Sequence, residues 1–291
     1  SRGLGDVYKR QLLKYDMKSM VHLLVPLSIA VVGTTIAGTA ALRIMQTIDN
    51  TKNASWILTS ALALIFVSTI LALLAFSVFS EILIMYRYYT HLFTDEGYLT
   101  FTLPVKTSSI LNSKLINALI WSVYTVLVVF FCIFLYVIFG TAEEGLINSK
   151  IFTEIKNALE LLTQTYSAWV ILKYIVEIVV IFIISLLYGV LSIYLALTIG
   201  SIIAKKHKIL AAIGIYYGLN TVMSIFVMIV NFIFTFTVAN SYQDSYSSNY
   251  EIAIDRVFDI SFFINAASFL VFSIVAYCVT RHLLKNKLNL S

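Results

Sequence analysis

Residues 168–204 read AWVILKYIVEIVVIFIISLLYGVLSIYLALTIGSIIA, and this stretch decides the fold. As one helix it would be roughly 55 Å long, against a bilayer hydrocarbon core of about 30 Å. No proline and no polar turn interrupts it, so we predict one helix that crosses the bilayer and projects beyond it, rather than two short spans. Lys173 and Glu177 lie one helical turn apart near its start. We expect them to occupy the projecting, solvated end and to stabilise it only weakly.

The rest of the chain has the same apolar character. Of its 291 residues, 60% are hydrophobic and 12% are charged, whereas about a quarter of the residues in a soluble domain are charged. A transmembrane helix needs about 20 mostly apolar residues. Five further runs meet that requirement: 20–42, 56–80, 115–140, 209–238 and 260–280. The sequence therefore predicts an all-α integral membrane protein with six transmembrane helices.

Basic residues predict the orientation. With both termini placed inside, 14 of the 20 Lys and Arg residues fall in inside segments, five fall in outside segments, and Lys173 lies in a span. Cytoplasmic segments carry such an excess. We therefore predict a multi-pass protein of the cell membrane with cytoplasmic termini. The basic residues of the cytoplasmic segments explain the net charge of +5, so no nucleic-acid partner is expected.

The first eleven residues, SRGLGDVYKRQ, lack an initiator Met and do not match the sequence that follows. We set residues 1–11 apart as a non-native leader or junction, and we predict a single six-helix transmembrane domain over 12–291.

The sequence carries no strong motif for catalysis, nucleotide binding or metal binding. The segment GTAEEG at 140–145 has the glycine spacing of a phosphate loop, but Leu146 and Ile147 stand where Lys and Ser or Thr are needed. Cys132 and Cys278 lie in apolar runs, and the histidines lack ligand spacing. We predict no catalytic, cofactor or metal site and no enzyme activity in this chain, and the substrate is not readable.

Small residues recur at helical spacing in several spans, which lets helices approach closely in lipid. We assign one set to subunit packing: Gly33, Ala37, Ala41, Gly214 and Gly218. Other stripes are Ala30, Thr34 and Gly38 in the first span, and Ser192, Ala196, Gly200 and Ala204 in the fourth. Two interpretations stay open, packing within one bundle and packing against a second copy. We expect Asn220 and Asn231 to make hydrogen bonds between helices.

Two segments between spans differ in character. Residues 148–162, NSKIFTEIKNALELL, place apolar side chains on one face of a helix, which predicts an amphipathic helix on the outer surface. Residues 240–250, NSYQDSYSSNY, predict a polar loop without helical periodicity.

Residues 93–114, FTDEGYLTFTLPVKTSSILNSK, form what we call the hairpin. Thr94 can cap a short helix toward Gly97. Pro104 disfavours helix at Leu103, so the chain must turn or extend there. Thr107 is a candidate N-cap for the helix that continues into the third span. From chemistry alone, the segment is either a well-folded linker or a surface that contacts a partner.

The longer stretch LFTDEGYLTFTLPVKTSSILNSKLI at 92–116 resembles the first cytoplasmic loop of permease subunits of ABC transporters, in the type-2 exporter class. That family commonly shows a Leu-Pro-Val element followed by basic or hydroxyl residues, aliphatic residues, a small residue and Lys. The positions that fit are Leu103, Pro104, Val105, Lys106, Thr107, Ile110, Leu111, Ser113 and Lys114. The order of spans and loops also agrees over roughly residues 12–285.

The resemblance implies a permease subunit of an exporter whose loop docks in a groove of a separate ATP-binding cassette subunit, which binds the ATP and magnesium. It implies a homodimer or a paired permease. The implied docking residues are Asp95, Glu96, Leu103, Pro104, Val105, Lys106 and Thr107. The polar segment 239–259 departs from the family, whose members often carry apolar re-entrant helices there. The alternatives are a non-transporting scaffold or sensor and an ion-coupled carrier.

Overall fold

The structure is a computed structural model, and it describes seven stretches of the chain: 2–49, 55–94, 97, 107–140, 149–204, 206–242 and 250–286. These residues form seven α-helices: α1 (Arg2–Asp49), α2 (Trp56–Phe93), α3 (Thr107–Leu135), α4 (Ser149–Thr165), α5 (Ala168–Ile203), α6 (Lys208–Tyr242) and α7 (Tyr250–Asn286). A π-helical turn, Tyr136–Gly140, continues α3. Helix α1 begins within the segment set apart at 1–11, whose origin stays a prediction.

Six helices in the described part of the chain are long and apolar enough to cross a membrane: Lys14–Ile48, Trp56–Phe93, Thr107–Gly140, Ala168–Ile203, Lys208–Val238 and Arg256–Asn286. The prediction of six helices long and apolar enough to span a membrane is confirmed. The single helix predicted over 168–204 is confirmed by α5. The helices run past the apolar runs because helix formation does not require apolar residues: Lys, Arg, Glu and Gln favour helix about as well as Leu does.

Helix α4 confirms the predicted amphipathic helix, with ends at Ser149 and Thr165 rather than 148 and 162. Its apolar side chains Phe152, Ile155 and Leu159 are exposed, which leaves one apolar face without a cover from the described chain. The predicted polar loop at 240–250 is too long at both ends, because α6 extends to Tyr242 and α7 begins at Tyr250. Residues 243–249 lie outside the described part.

The chain divides into two compact units, and the division falls inside α2, α3 and α5. Unit 1 comprises Ser1–Ile84 and Ile120–Ile171. Its apolar core is built on Val31, Phe76 and Cys132, which are buried.

Unit 2 comprises Met85–Leu119 and Leu172–Ser291. Its core is built on Leu191, Leu195 and Ala276, with Leu115 of α3 packed against it. The end of α2 and the start of α3 therefore belong to the same unit as most of α5 and all of α6 and α7.

Candidate functional site at the base of the hairpin

The hairpin itself is described only at its ends. The predicted docking residues Asp95, Glu96, Leu103, Pro104, Val105 and Lys106 lie outside the described residues, and Thr107 is the first residue of α3. What the structure describes is the pair of helix ends that carries the hairpin. We call these ends, Met85–Phe93 of α2 and Thr107–Leu119 of α3, the hairpin stems.

The first stem ends in a tight turn. The Thr94 hydroxyl donates to the Thr90 carbonyl, and the Gly97 N–H donates to the Thr94 carbonyl at 2.8 Å. Gly97 is helical, and the Thr94 carbonyl that accepts its N–H stands where an N-cap residue accepts the first bond of a helix, as expected from the sequence. The Thr94 hydroxyl bonds back to α2. A Cβ at Gly97 would lie 2.6 Å from the Leu92 carbonyl oxygen, so the turn requires glycine.

Two buried tyrosines join the first stem to α5. Tyr88 stacks on Tyr194 with ring centroids 3.7 Å apart and planes 11° apart. The Tyr88 hydroxyl shares a hydrogen bond with Thr198 Oγ1 at 3.0 Å. All three side chains are at most 2% exposed. Since a buried hydroxyl without a partner costs free energy, these polar groups fix how α2 sits on α5.

The second stem is held by the same tyrosine pair. The Tyr194 hydroxyl donates to the backbone carbonyl of Lys114 at 3.0 Å. Apolar side chains of the stem, Ile110 and Leu111, are buried, and so is Lys114 itself at 3% exposure. Tyr194 therefore contacts both stems, through its ring to α2 and through its hydroxyl to α3.

Helix α7 makes a further contact with the second stem. The Tyr277 hydroxyl donates to Asn112 Oδ1 at 2.7 Å. The start of α3 is thus bonded to α5 by a backbone carbonyl and to α7 by a side chain. A displacement of the hairpin stems would change both contacts.

A charged group lies elsewhere in unit 2. The Lys173 ammonium is 3.9 Å from Glu177 Oε1, as the i, i+4 spacing predicted, but it bonds Asp259 of α7 more closely. The Lys173 and Asp259 side chains are each 41% exposed, while that of Glu177 is 19% exposed. The expected solvated pair is therefore a three-residue group that links α5 to α7.

The two asparagines of α6 behave differently. Asn220 Oδ1 accepts a hydrogen bond from Tyr188 of α5 at 2.7 Å, which confirms the expected contact between helices. Asn231 Nδ2 donates to the Val227 carbonyl of its own helix at 2.9 Å, and its buried Oδ1 has no partner among the described residues. Asn220 Nδ2 donates to its own helix in the same way, at the Tyr216 carbonyl, so the two residues differ at the oxygen. No described group of another helix bonds Asn231 Oδ1, and the expected contact between helices is not made there among the described residues.

The small residues assigned to subunit packing do not share one environment. A Cβ at Gly33, Gly214 or Gly218 would have no described atom of the chain within 4 Å. Ala37 is exposed, and Ala41 is buried. Their role in subunit packing stays a prediction.

Close helix contacts occur at two other glycines. At Gly38 of α1 a Cβ would overlap the Thr69 side chain of α2, whose hydroxyl donates to the Thr34 carbonyl at 3.2 Å. At Gly200 of α5 a Cβ would lie 2.6 Å from the Ala212 nitrogen of α6. These stripes pack within the chain.

Tyr88, Tyr194, Tyr277 and Asp259 were not singled out from the sequence. The sequence signal that could have identified them is a polar group inside an otherwise apolar run. The chain has 18 tyrosines, so this signal does not distinguish these residues from the others. No protein-family model, no curated protein and no solved structure matches this chain.

Proposed function

We propose that this chain is the transmembrane permease subunit of an ATP-binding cassette exporter, with its hairpin docked on a separate ATPase subunit. The observation that carries the proposal is the anchoring of both hairpin stems to α5 through Tyr88 and Tyr194. A linker needs only to join two spans. A coupling element needs firm contacts with helices that must move, and the stems have such contacts.

The contacts suggest how a movement of the hairpin would be transmitted to the transmembrane helices. ATP binding and hydrolysis in the partner would displace the hairpin. Because buried aromatic and hydrogen-bonded contacts switch between discrete packings rather than deform smoothly, the displacement would pass to α5 at Tyr194 and to α7 at Tyr277. The spans would then change which membrane face has access to the substrate path.

The orientation belongs to the same proposal. Cytoplasmic termini and a cytoplasmic hairpin in the cell membrane follow from the Lys and Arg asymmetry. The catalytic machinery would lie in the partner, which would bind ATP and magnesium, and two transmembrane subunits would form the complete pathway. The resemblance of residues 92–116 to the family loop supports this arrangement.

The test replaces Leu103 and Val105 with Asp in the full-length chain. Leu103 and Val105 would supply apolar contact in the partner groove, so two carboxylates there would be desolvated and would oppose docking. The tagged chain is purified from membranes of its host, and the co-purifying protein and its ATP hydrolysis are measured. We expect normal membrane insertion, loss of an ATPase subunit carrying a G-x-x-x-x-G-K-[ST] motif, and loss of the ATP hydrolysis.

A matched control carries the same two charges outside the hairpin. Ile155 and Leu159 of α4 are exposed apolar residues, and replacing both with Asp should leave the ATPase bound. If the hairpin variant retains the ATPase and its activity at the control level, the coupling assignment is wrong and a scaffold or sensor that transports nothing gains support.

A further inference from the structure

Helices α5, α6 and α7 of unit 2 border a cavity of about 680 Å³ that is open on one side, since Phe226, Phe234 and Phe263 on its wall are 48–71% exposed. This size is typical of sites that take drug-sized ligands. Most of the lining is apolar, and four phenylalanines contribute to it: Phe226 and Phe234 from α6, and Phe262 and Phe263 from α7. The cavity therefore suits a molecule with a hydrophobic body.

The charged part of the lining has one sign. Among the described residues that line the cavity, the ionisable ones are Glu177 and Asp259, and both are acidic. Lys173 does not line it. Its ammonium bonds Asp259 and lies 3.9 Å from Glu177, so one positive charge serves two carboxylates. Within this group of three side chains, one negative charge is left over at the wall of the cavity.

The apolar lining and the excess negative charge together indicate the chemical class of the ligand. The Glu177 carboxylate is only 19% exposed beside this apolar wall, so it attracts a cation more strongly than a fully solvated carboxylate would, and the 41% exposed Asp259 carboxylate adds a weaker attraction. Aromatic rings stabilise a cation above their faces. An anion would be repelled by the same carboxylates, and a neutral molecule would leave the extra charge unbalanced.

We propose that this cavity binds a hydrophobic monocation, with its apolar body among the phenylalanines and its positive charge beside Glu177 and Asp259. Such a ligand partitions into the bilayer and can reach the cavity from there. The proposal does not depend on an ATPase partner, because binding is a property of this chain alone.

The probe is radiolabelled tetraphenylphosphonium, and its matched control is tetraphenylborate, which has nearly the same size and shape and the opposite charge. The full-length chain is placed in phosphatidylcholine nanodiscs, and binding is measured by equilibrium dialysis against empty nanodiscs. We expect saturable binding of the cation above the empty-disc level and no saturable binding of the anion.

Three variants separate a binding role from a structural one. Glu177→Gln and Asp259→Asn each remove a negative charge and should weaken cation binding roughly five- to tenfold, as for the loss of a partly screened charge contact. Lys173→Met removes the competing ammonium and should strengthen binding. A purely structural ion group predicts that all three variants change binding in the same direction, or leave it unchanged.

Glu160→Gln is the control for net charge, because Glu160 is exposed on α4 and does not line the cavity. It should bind the cation like the unaltered chain. Gel filtration of each variant establishes that it is folded, and Glu177→Gln and Asp259→Asn serve as independent replacements for one another. Equal binding of the two probes, binding no greater than to empty nanodiscs, or weaker binding by Lys173→Met would overturn the proposal.

Discussion

Replacing Gly200 with Ala tests a close approach between α5 and α6. The new Cβ would lie 2.6 Å from the Ala212 nitrogen and 2.7 Å from the Ala212 Cα. These are backbone atoms, so α6 itself must shift to make room. Overpacking of this kind typically costs about 1–3 kcal/mol, while Gly→Ala in a helix returns about 0.5–1 kcal/mol. We expect a net loss of about 1–2 kcal/mol.

The same substitution at Gly189 is the matched control, because Gly189 lies on the same helix and a Cβ there would have no described atom within 4 Å. This variant should gain only helix propensity, up to about 1 kcal/mol. Gly38→Ala should fall between the two. A Cβ there would overlap Thr69 Oγ1, which can rotate away at the loss of its hydrogen bond to α1, worth about 0.6 kcal/mol in a membrane. It would also lie 2.9 Å from Thr69 Cβ, which moves only if the α2 backbone shifts.

The assay is thermal stability in detergent, followed as the loss of the monodisperse gel-filtration peak on heating. A difference of about 2 kcal/mol between Gly200→Ala and Gly189→Ala corresponds to roughly 4–8 °C in midpoint for a chain of this size. Equal midpoints for the two variants would refute the inference that α5 and α6 touch backbone to backbone at Gly200.

Three further predictions concern orientation, subunit packing and the stem contacts. In a cysteine-free background, Lys150→Cys should react with an impermeant thiol reagent on intact cells and His207→Cys should not; labelling at position 207 would contradict the six-span orientation. Gly218→Leu should shift detergent-extracted dimer toward monomer if that open face meets a second subunit, and an unchanged dimer would exclude the contact. Tyr194→Phe removes a buried hydrogen bond to α3 and should cost about 0.5–1.5 kcal/mol of thermal stability, whereas Tyr217→Phe, on an exposed ring, should cost nothing measurable.

The spans could be predicted from the sequence because each is a local property of about 20 consecutive residues. The unbroken run over α5 and the apolar stripe of α4 needed no knowledge of the rest of the chain. Which small residue meets a neighbouring helix could not be predicted in the same way. Gly33 and Gly38 lie on one helix and look equivalent in sequence, yet a Cβ at Gly38 would meet another helix and one at Gly33 would meet nothing within 4 Å among the described atoms. The rotation of each helix about its axis decides this, and tertiary packing sets that rotation.

The base of the hairpin could not be predicted because its contacts join distant parts of the chain. Tyr88 and Thr198 are 110 residues apart, and Asn112 and Tyr277 are 165 apart. Neither pair leaves a local periodicity. The pair Lys173 and Glu177 was visible at four residues' spacing, but Asp259, 86 residues from Lys173, was not. Local patterns therefore identified the stems, while their partners required the fold.

The same distances set the order in which a ribosome can complete the molecule. The hairpin stems are made before α5, and Tyr277 is added 165 residues after Asn112. At a synthesis rate of about 5–20 residues per second, this gap is on the order of ten seconds or more. Tyr194 is added 80 residues after Lys114, so the α5 contact becomes possible before the α7 contact. Until α5 is made the stems lack both helices that hold them, so a chain stopped before α5 should present a hairpin without its native base. We expect protease to cut the hairpin of a chain ending at residue 166 faster than that of the full-length chain, and equal rates would show that the hairpin forms without its later partners. If the truncated chain is cut faster, the proposed ATPase has a structural means of binding completed chains only.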